Sequence, residues 1–173
     1  MGSGEVVAGE WIVRGSVWLA LLCYPAGPLG IAVSTTRGQR ASRLVWTLGC
    51  AAFLVHVVSS FHLFYDWSHS VAVNETAEQV AELTGHPFGA GIYLNYVFTA
   101  VWVFDAVWWW FNEASYRRRS WIGVLFAHGF FLFMIFNATV VFEDGAVRIM
   151  GLAVTTVGAI ALAKAVRRLK AER

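Results

Sequence analysis

Polar side chains recur at nearly helical spacing in the apolar stretch LVHVVSSFHLFYDWSHS, residues 54–70. Five of them, separated by 3, 3, 4 and 3 residues, are His56, Ser59, His62, Asp66 and His69. Because this spacing is close to the helical period, we expect the five groups along one face of a single helix. A polar stripe on a membrane helix is costly unless it faces protein or water, so this one is expected to point into a helical bundle.

The outer part of this stripe has residue types that bind transition metals. His62, Asp66 and His69 are spaced i, i+4 and i+7, which puts them on one face if the helix continues through Trp67. Two imidazoles and a carboxylate supply three ligands to zinc, copper or iron, and His86 from the following loop would supply a fourth. The alternative is that these are polar residues at a water interface, bonded to neighbours and solvent.

Two histidines lie deeper in apolar runs. His56 and His128 are the obvious pair for axial ligation of a haem, but counting from the predicted helix ends separates them by about 8 Å in depth. That mismatch argues against the pair. The same count brings Asp105 level with His128, either as a structural tie or as one step of a proton relay. Asn95 and Asn137 are level with each other nearer the outer side, where an amide pair would join two helices.

The elements that position these groups are long apolar runs. Apolar residues make up 58% of the 173 residues and charged residues 14%, which is typical of an integral membrane protein. A bilayer is crossed by about 20 helical residues. We therefore predict an all-α bundle with five spans over about residues 11–33, 44–65, 90–111, 121–142 and 146–166. The whole chain, residues 1–173, is treated as a single membrane domain.

Charge placement predicts the orientation of the bundle. Basic residues follow spans one, three and five: Arg37, Arg40, Arg43, Arg117, Arg118, Arg119, Arg167, Arg168, Lys170 and Arg173. The other connecting segments are acidic, with Glu75, Glu78, Glu82, Glu143 and Asp144. Since basic residues concentrate in cytoplasmic loops, we expect the N-terminus outside and the C-terminus inside. The predicted location is a bacterial inner (plasma) membrane.

The segment 67–89 is the one sizeable loop between the predicted spans. It is expected on the outer side and to contain a short helix over about residues 74–84, capped by Asn74. Gly85 is expected to end that helix.

Residue types within the spans predict three local features. Pro25 and Pro28 predict a kink or a break near the middle of span one. Cys23 and Cys50 lie within apolar runs and are expected to be buried free thiols. Small residues predict a close-packing face on span five: Gly151, Thr155 and Gly158.

Three functions from different classes fit these observations. The first is a small membrane protein that binds copper, zinc, iron or haem at its outer face. The second is a non-catalytic accessory or assembly subunit, with the lipid bilayer and other membrane subunits as partners. The third is a transporter or membrane enzyme with a proton path along the histidine stripe towards Asp105 and His128. The sequence has no glycine-rich phosphate loop, GxSxG or paired CxxC, and the catalytic residues of such an enzyme are left unassigned. A net charge of +2 does not suggest nucleic acid.

Overall fold

The computed structural model describes the backbone of residues 3–172 and the side chains of residues 8–172. In this part of the chain there is no strand, and eight α-helices and one π-helical segment follow one another. The α-helices are α1 Ser3–Cys23, α2 Ala26–Ala32, α3 Thr36–Leu63, α4 His69–Thr84, α5 Gly91–Phe111, α6 Glu113–Arg117, α7 Trp121–Phe136 and α8 Gly145–Ala171. The π-helical segment, Asn137–Val141, continues α7.

Five segments are long and apolar enough to cross a membrane: Ala8–Ala32, Thr36–Leu63, Gly91–Phe111, Trp121–Val141 and Gly145–Ala171. The prediction of an all-α chain with five potential spans is confirmed. The helices of spans two and five, α3 and α8, extend beyond their predicted boundaries at the ends that bear arginines. Arginine-bearing turns continue these helices past the apolar run. α3 begins at Thr36, where the Thr35 hydroxyl caps it by accepting from the Gly38 amide.

The five spans pack as a closed ring. α3 lies against α1, α2 and α5, α5 lies against α7, α7 lies against α8, and α8 returns to α2. Large aromatic side chains fill the interior: Tyr24, Trp46, Phe98, Trp102 and Phe131. Aromatic side chains bury large apolar areas, so this column supplies much of the packing that holds the ring together.

The predicted break in the first span is confirmed. α1 ends at Cys23 and α2 begins at Ala26, with Pro25 at the junction. Gly27, two residues after Pro25, has no room for a side chain, because a Cβ there would lie 2.6 Å from the Trp46 ring. Both cysteines are buried free thiols, as predicted.

The three arginine-bearing segments meet at one end of the ring. Arg168 of α8 donates to the carbonyl of Val33 after α2, and Arg43 of α3 pairs with Glu113 of α6 at 3.1 Å. We call this the arginine end, defined by Arg43, Arg117 and Arg168. The opposite end, with α4, Glu143 and Asp144, is called the acidic end. The alternation of basic and acidic segments predicted from the sequence is therefore present in the fold.

Candidate functional site

The histidine stripe is divided between two helices. α3 ends at Leu63, and the chain turns through Asp66 and Trp67, whose φ angles are 45° and 57°, before α4 begins at His69. The expectation of one helix through Trp67 is wrong. Left-handed backbone at two successive residues ends a helix, although neither residue is glycine. His62 therefore belongs to α3 and His69 to α4.

His69 is held by two tyrosines of α5. Its Nδ1 lies 2.9 Å from Tyr96 Oη and its Nε2 lies 3.3 Å from Tyr93 Oη. His86 lies beyond the other end of α4, about 24 Å away along a helix of that length. Among the described residues, no group of three or more His, Cys, Asp or Glu side chains is placed to hold a metal. The predicted metal set has no structural support: His62, Asp66, His69 and His86.

The two histidines predicted as haem ligands lie in different surroundings. His56 Nδ1 lies 3.0 Å from the carbonyl oxygen of Val13, and the His128 side chain is 1% exposed. Three aromatic rings enclose His128 at centroid distances of 5.6 to 6.1 Å: Trp46, Phe131 and Tyr24. An axial imidazole needs an open position for the iron. The packed ring of His128 offers none.

Asp105 finds its partners in the segment between α5 and α7 rather than in His128. Its Oδ1 accepts from Arg119 Nη1 at 2.6 Å and its Oδ2 accepts from Tyr116 Oη at 2.9 Å. Neither ring nitrogen of His128 has a hydrogen-bond partner among the described residues. The predicted Asp105–His128 tie is therefore not formed, because the carboxylate is already engaged.

The short helix α6 brings these partners back to the ring. Its first turn is capped by Asn112 Oδ1, which accepts from the Ser115 amide at 2.9 Å. Tyr116 then stacks on Trp109 with ring centroids 4.5 Å apart, and the Arg119 guanidinium lies 3.7 Å from the Tyr116 ring centroid. Burial raises the pKa of Tyr116 well above its usual value. The result is a compact ionic unit at the arginine end.

Asn95 and Asn137 do not pair among the described residues either. Asn137 Nδ2 donates to the carbonyl of Phe133 at 2.7 Å, within its own helix. Asn95 instead lines a cleft of about 230 Å³. The depth count brought the two amides level but could not set the direction of either side chain.

The cleft lined by Asn95 lies where all five spans meet, and we call it the five-span cleft. Its apolar wall includes a residue from every span: Val17, Leu21, Phe53, Phe98, Met134 and Val147. Four polar side chains also reach it: Arg14, Asn95, Thr139 and Glu143. Thr139 Oγ1 is occupied, because it donates to the Ile135 carbonyl at 2.7 Å. The groups available to a ligand are therefore the other three polar side chains.

Arg14 and Glu143 are the charged groups of this cleft. Arg14 lies in α1, the first helix of the first potential span, and its side chain is exposed. Considering the side chains of residues 8–172, neither Arg14 nor Glu143 forms an ion pair. A charge within an apolar run is costly unless it faces water or a partner. The opening of the cleft supplies such surroundings.

The site predicted from histidine spacing does not include Arg14. The available signal was a lone cation inside the first apolar run, near the end where the positive-inside rule predicts none. From the sequence, Glu143 indicates only the orientation of the chain. Nothing in the sequence pattern indicated that the two would line the same cleft.

The π-helical segment contributes Ala138 and Thr139 to the cleft wall. A π-helical turn inserts a residue into the helical ladder and is frequently found at functional sites. Here it ends span four next to Glu143, so it sets where that carboxylate meets the cleft.

Comparison of the chain with protein-family models, with curated protein sequences and with solved structures finds no match. The function of this chain is therefore inferred from its own residues.

Proposed function

We propose that the protein binds a small amphipathic molecule in the five-span cleft. The observation that carries the proposal is that this cleft draws apolar side chains from every span and adds a few polar groups to them. Ligand sites in proteins are concave, mostly apolar and marked by a small number of placed polar groups. A ligand with an apolar part and a charged head matches that lining.

Blocking the cleft tests this proposal. Ala138 lines it, whereas Ala153 is exposed on α8 and does not, so Ala138→Phe and Ala153→Phe form a matched pair. We expect native mass spectrometry of the mildly solubilised protein to show a retained amphiphile in the wild type and in Ala153→Phe. Ala138→Phe should lose it. Equal retention by both variants would refute the proposal.

We further propose that the chain lies in a bacterial inner membrane with its N-terminus outside. The meeting of the arginine-bearing segments at one end supports this orientation, because basic loops favour the cytoplasm. Buried Cys23 and Cys50 should give little background in thiol labelling. In intact cells, a membrane-impermeant maleimide should label Asn74→Cys and spare Arg37→Cys. The opposite pattern would invert the orientation.

A non-catalytic accessory or assembly subunit is the second candidate function. The engagement of Asp105 within the chain favours it, because the buried carboxylate then acts as a structural tie. The same engagement weighs against a proton relay through Asp105. Co-purification of a stoichiometric membrane partner would support the accessory role, if a variant that loses this partner retains the ligand of the cleft as the wild type does.

A further inference from the structure

We infer that the ligand of the five-span cleft is a zwitterionic phospholipid with a primary ammonium group, and that the cleft recognises the order of its charges. This inference rests on the function proposed above. It follows from the positions of the two charged side chains relative to the apolar wall.

The cleft presents its groups in a defined order along the membrane normal. α1 runs inward from the acidic end, so Val17 and Leu21 lie about 4.5 and 10 Å deeper than Arg14 at 1.5 Å per residue. Glu143 lies beyond the end of span four at Val141. From the interior towards the acidic end, the order is therefore apolar, cationic and anionic.

A phospholipid with an ethanolamine head has the complementary order. Its acyl chains are deepest, its phosphate follows and its ammonium group is outermost. A guanidinium is the side chain best suited to bind a phosphate, through paired charge-assisted hydrogen bonds. A carboxylate accepts hydrogen bonds from a primary ammonium, which has three donors. Phosphate on Arg14 and ammonium on Glu143 would give each side chain an oppositely charged partner, in addition to the Arg148 guanidinium that donates to the Glu143 backbone carbonyl at 2.8 Å.

Other headgroups satisfy only part of this arrangement. A choline head has a cation without N–H donors, so Glu143 would lose its hydrogen bonds. A glycerol head has no cation, which leaves the phosphate as its only charge and gives the Glu143 carboxylate no ammonium donor. Asn95 adds a neutral amide to the same cleft, and it would serve the ester or phosphate oxygens of all three lipids equally.

The experiment is calorimetric titration of the delipidated protein in an uncharged detergent with dioctanoyl phosphatidylethanolamine, phosphatidylcholine and phosphatidylglycerol. We expect the ethanolamine lipid to bind about tenfold more tightly than the other two, the effect of one charge-assisted hydrogen-bonded group. Glu143→Gln should abolish this preference. Arg14→Gln should weaken all three lipids, and Arg14→Lys, which retains the charge but loses the paired hydrogen bonds, should give affinities between those of the wild type and Arg14→Gln.

Two variants control for charge changes elsewhere. Glu78→Gln on exposed α4 and Arg37→Gln at the arginine end should leave the affinities unchanged. Equal affinities for the three lipids, with binding still lost in Ala138→Phe, would overturn the inference and leave the proposed function intact. An ethanolamine preference that survives Ala138→Phe would place the lipid elsewhere and overturn both.

Discussion

Asp105 Oδ1 and Arg119 Nη1 lie 2.6 Å apart in an ion pair whose side chains are 9% and 7% exposed. Tyr116 belongs to the same unit, because its hydroxyl donates to the second carboxylate oxygen and its ring lies beside the guanidinium. A charge buried without its partner costs several kcal/mol, whereas the pair is tolerated as a unit. The interior carboxylate of span three is thus neutralised by the segment that follows the span.

Removal of one member of this pair should be far worse than removal of both. Asp105→Asn or Arg119→Gln alone is expected to lower the free energy of unfolding by about 3–5 kcal/mol, because each leaves a buried charge. The double variant should cost clearly less than the sum. Unfolding titrations in mixed micelles measure these values, and Arg118→Gln, an exposed neighbour, should change stability by less than about 0.5 kcal/mol. Additive losses would mean that the two side chains act independently.

Alkaline pH should destabilise the protein through Tyr116. An unfolded tyrosine ionises near pH 10, whereas burial raises the pKa of Tyr116 well above that value in the folded state. Above about pH 10 the folded state therefore holds more protons than the unfolded state, so stability falls as pH rises. Melting temperatures between pH 8 and 11.5 should fall more steeply for the wild type than for Tyr116→Phe. Parallel curves would contradict this role for Tyr116.

Features encoded by local chemistry were predictable from the sequence. Pro25 lies at the break between α1 and α2, Gly85 with φ 77° ends α4 as expected, and five apolar runs became five potential spans. Each depends on the residue itself or on its immediate neighbours. Proline lacks an amide donor, glycine adopts left-handed backbone without strain, and apolar length sets a span.

Features that depend on chain reversal were not predictable. Nothing local marks the end of α3, because the turn after Leu63 uses Asp66 and Trp67 rather than glycine or proline. Because α3 ends there, His62 and His69 lie on different helices and do not share the predicted face. Likewise, the sequence places Arg119 in a basic loop, whereas in the structure it follows α6 and pairs with Asp105. Depth along a helix, which placed His128 level with Asp105, does not determine rotation about the helix axis.

Close packing of α8 on the π-helical segment should make Gly151 sensitive to substitution. A Cβ at Gly151 would overlap Thr139 Oγ1, and that hydroxyl is fixed by its bond to the Ile135 carbonyl. Gly151→Ala is expected to destabilise the protein by about 1–3 kcal/mol, the usual cost of overpacking. Gly151→Ala with Thr139→Ala removes the hydroxyl but keeps the Thr139 Cβ, which also overlaps the new methyl group, so it should recover only a small part of the loss.

Gly129 in α7 supplies the matched control, because a Cβ there meets nothing within 4 Å. Gly129→Ala should be neutral or stabilise by up to about 1 kcal/mol through helix propensity. Thermal melts in one detergent would compare the variants. A Gly151→Ala protein as stable as the wild type would show that the two segments can separate without cost.

The two halves of the histidine stripe should differ in what they contribute. His69 joins α4 to α5 through Tyr96 and Tyr93. His69→Phe is expected to lower the free energy of unfolding by no more than about 0.5–1.5 kcal/mol for each of these two exposed hydrogen bonds. His62 is exposed, and His62→Ala should stay within about 0.5 kcal/mol of the wild type. Elemental analysis and an absorption spectrum complete the comparison. A stoichiometric metal or a Soret band that disappears in both variants would restore the stripe as a ligand set, because a tie between α4 and α5 alone cannot bind metal.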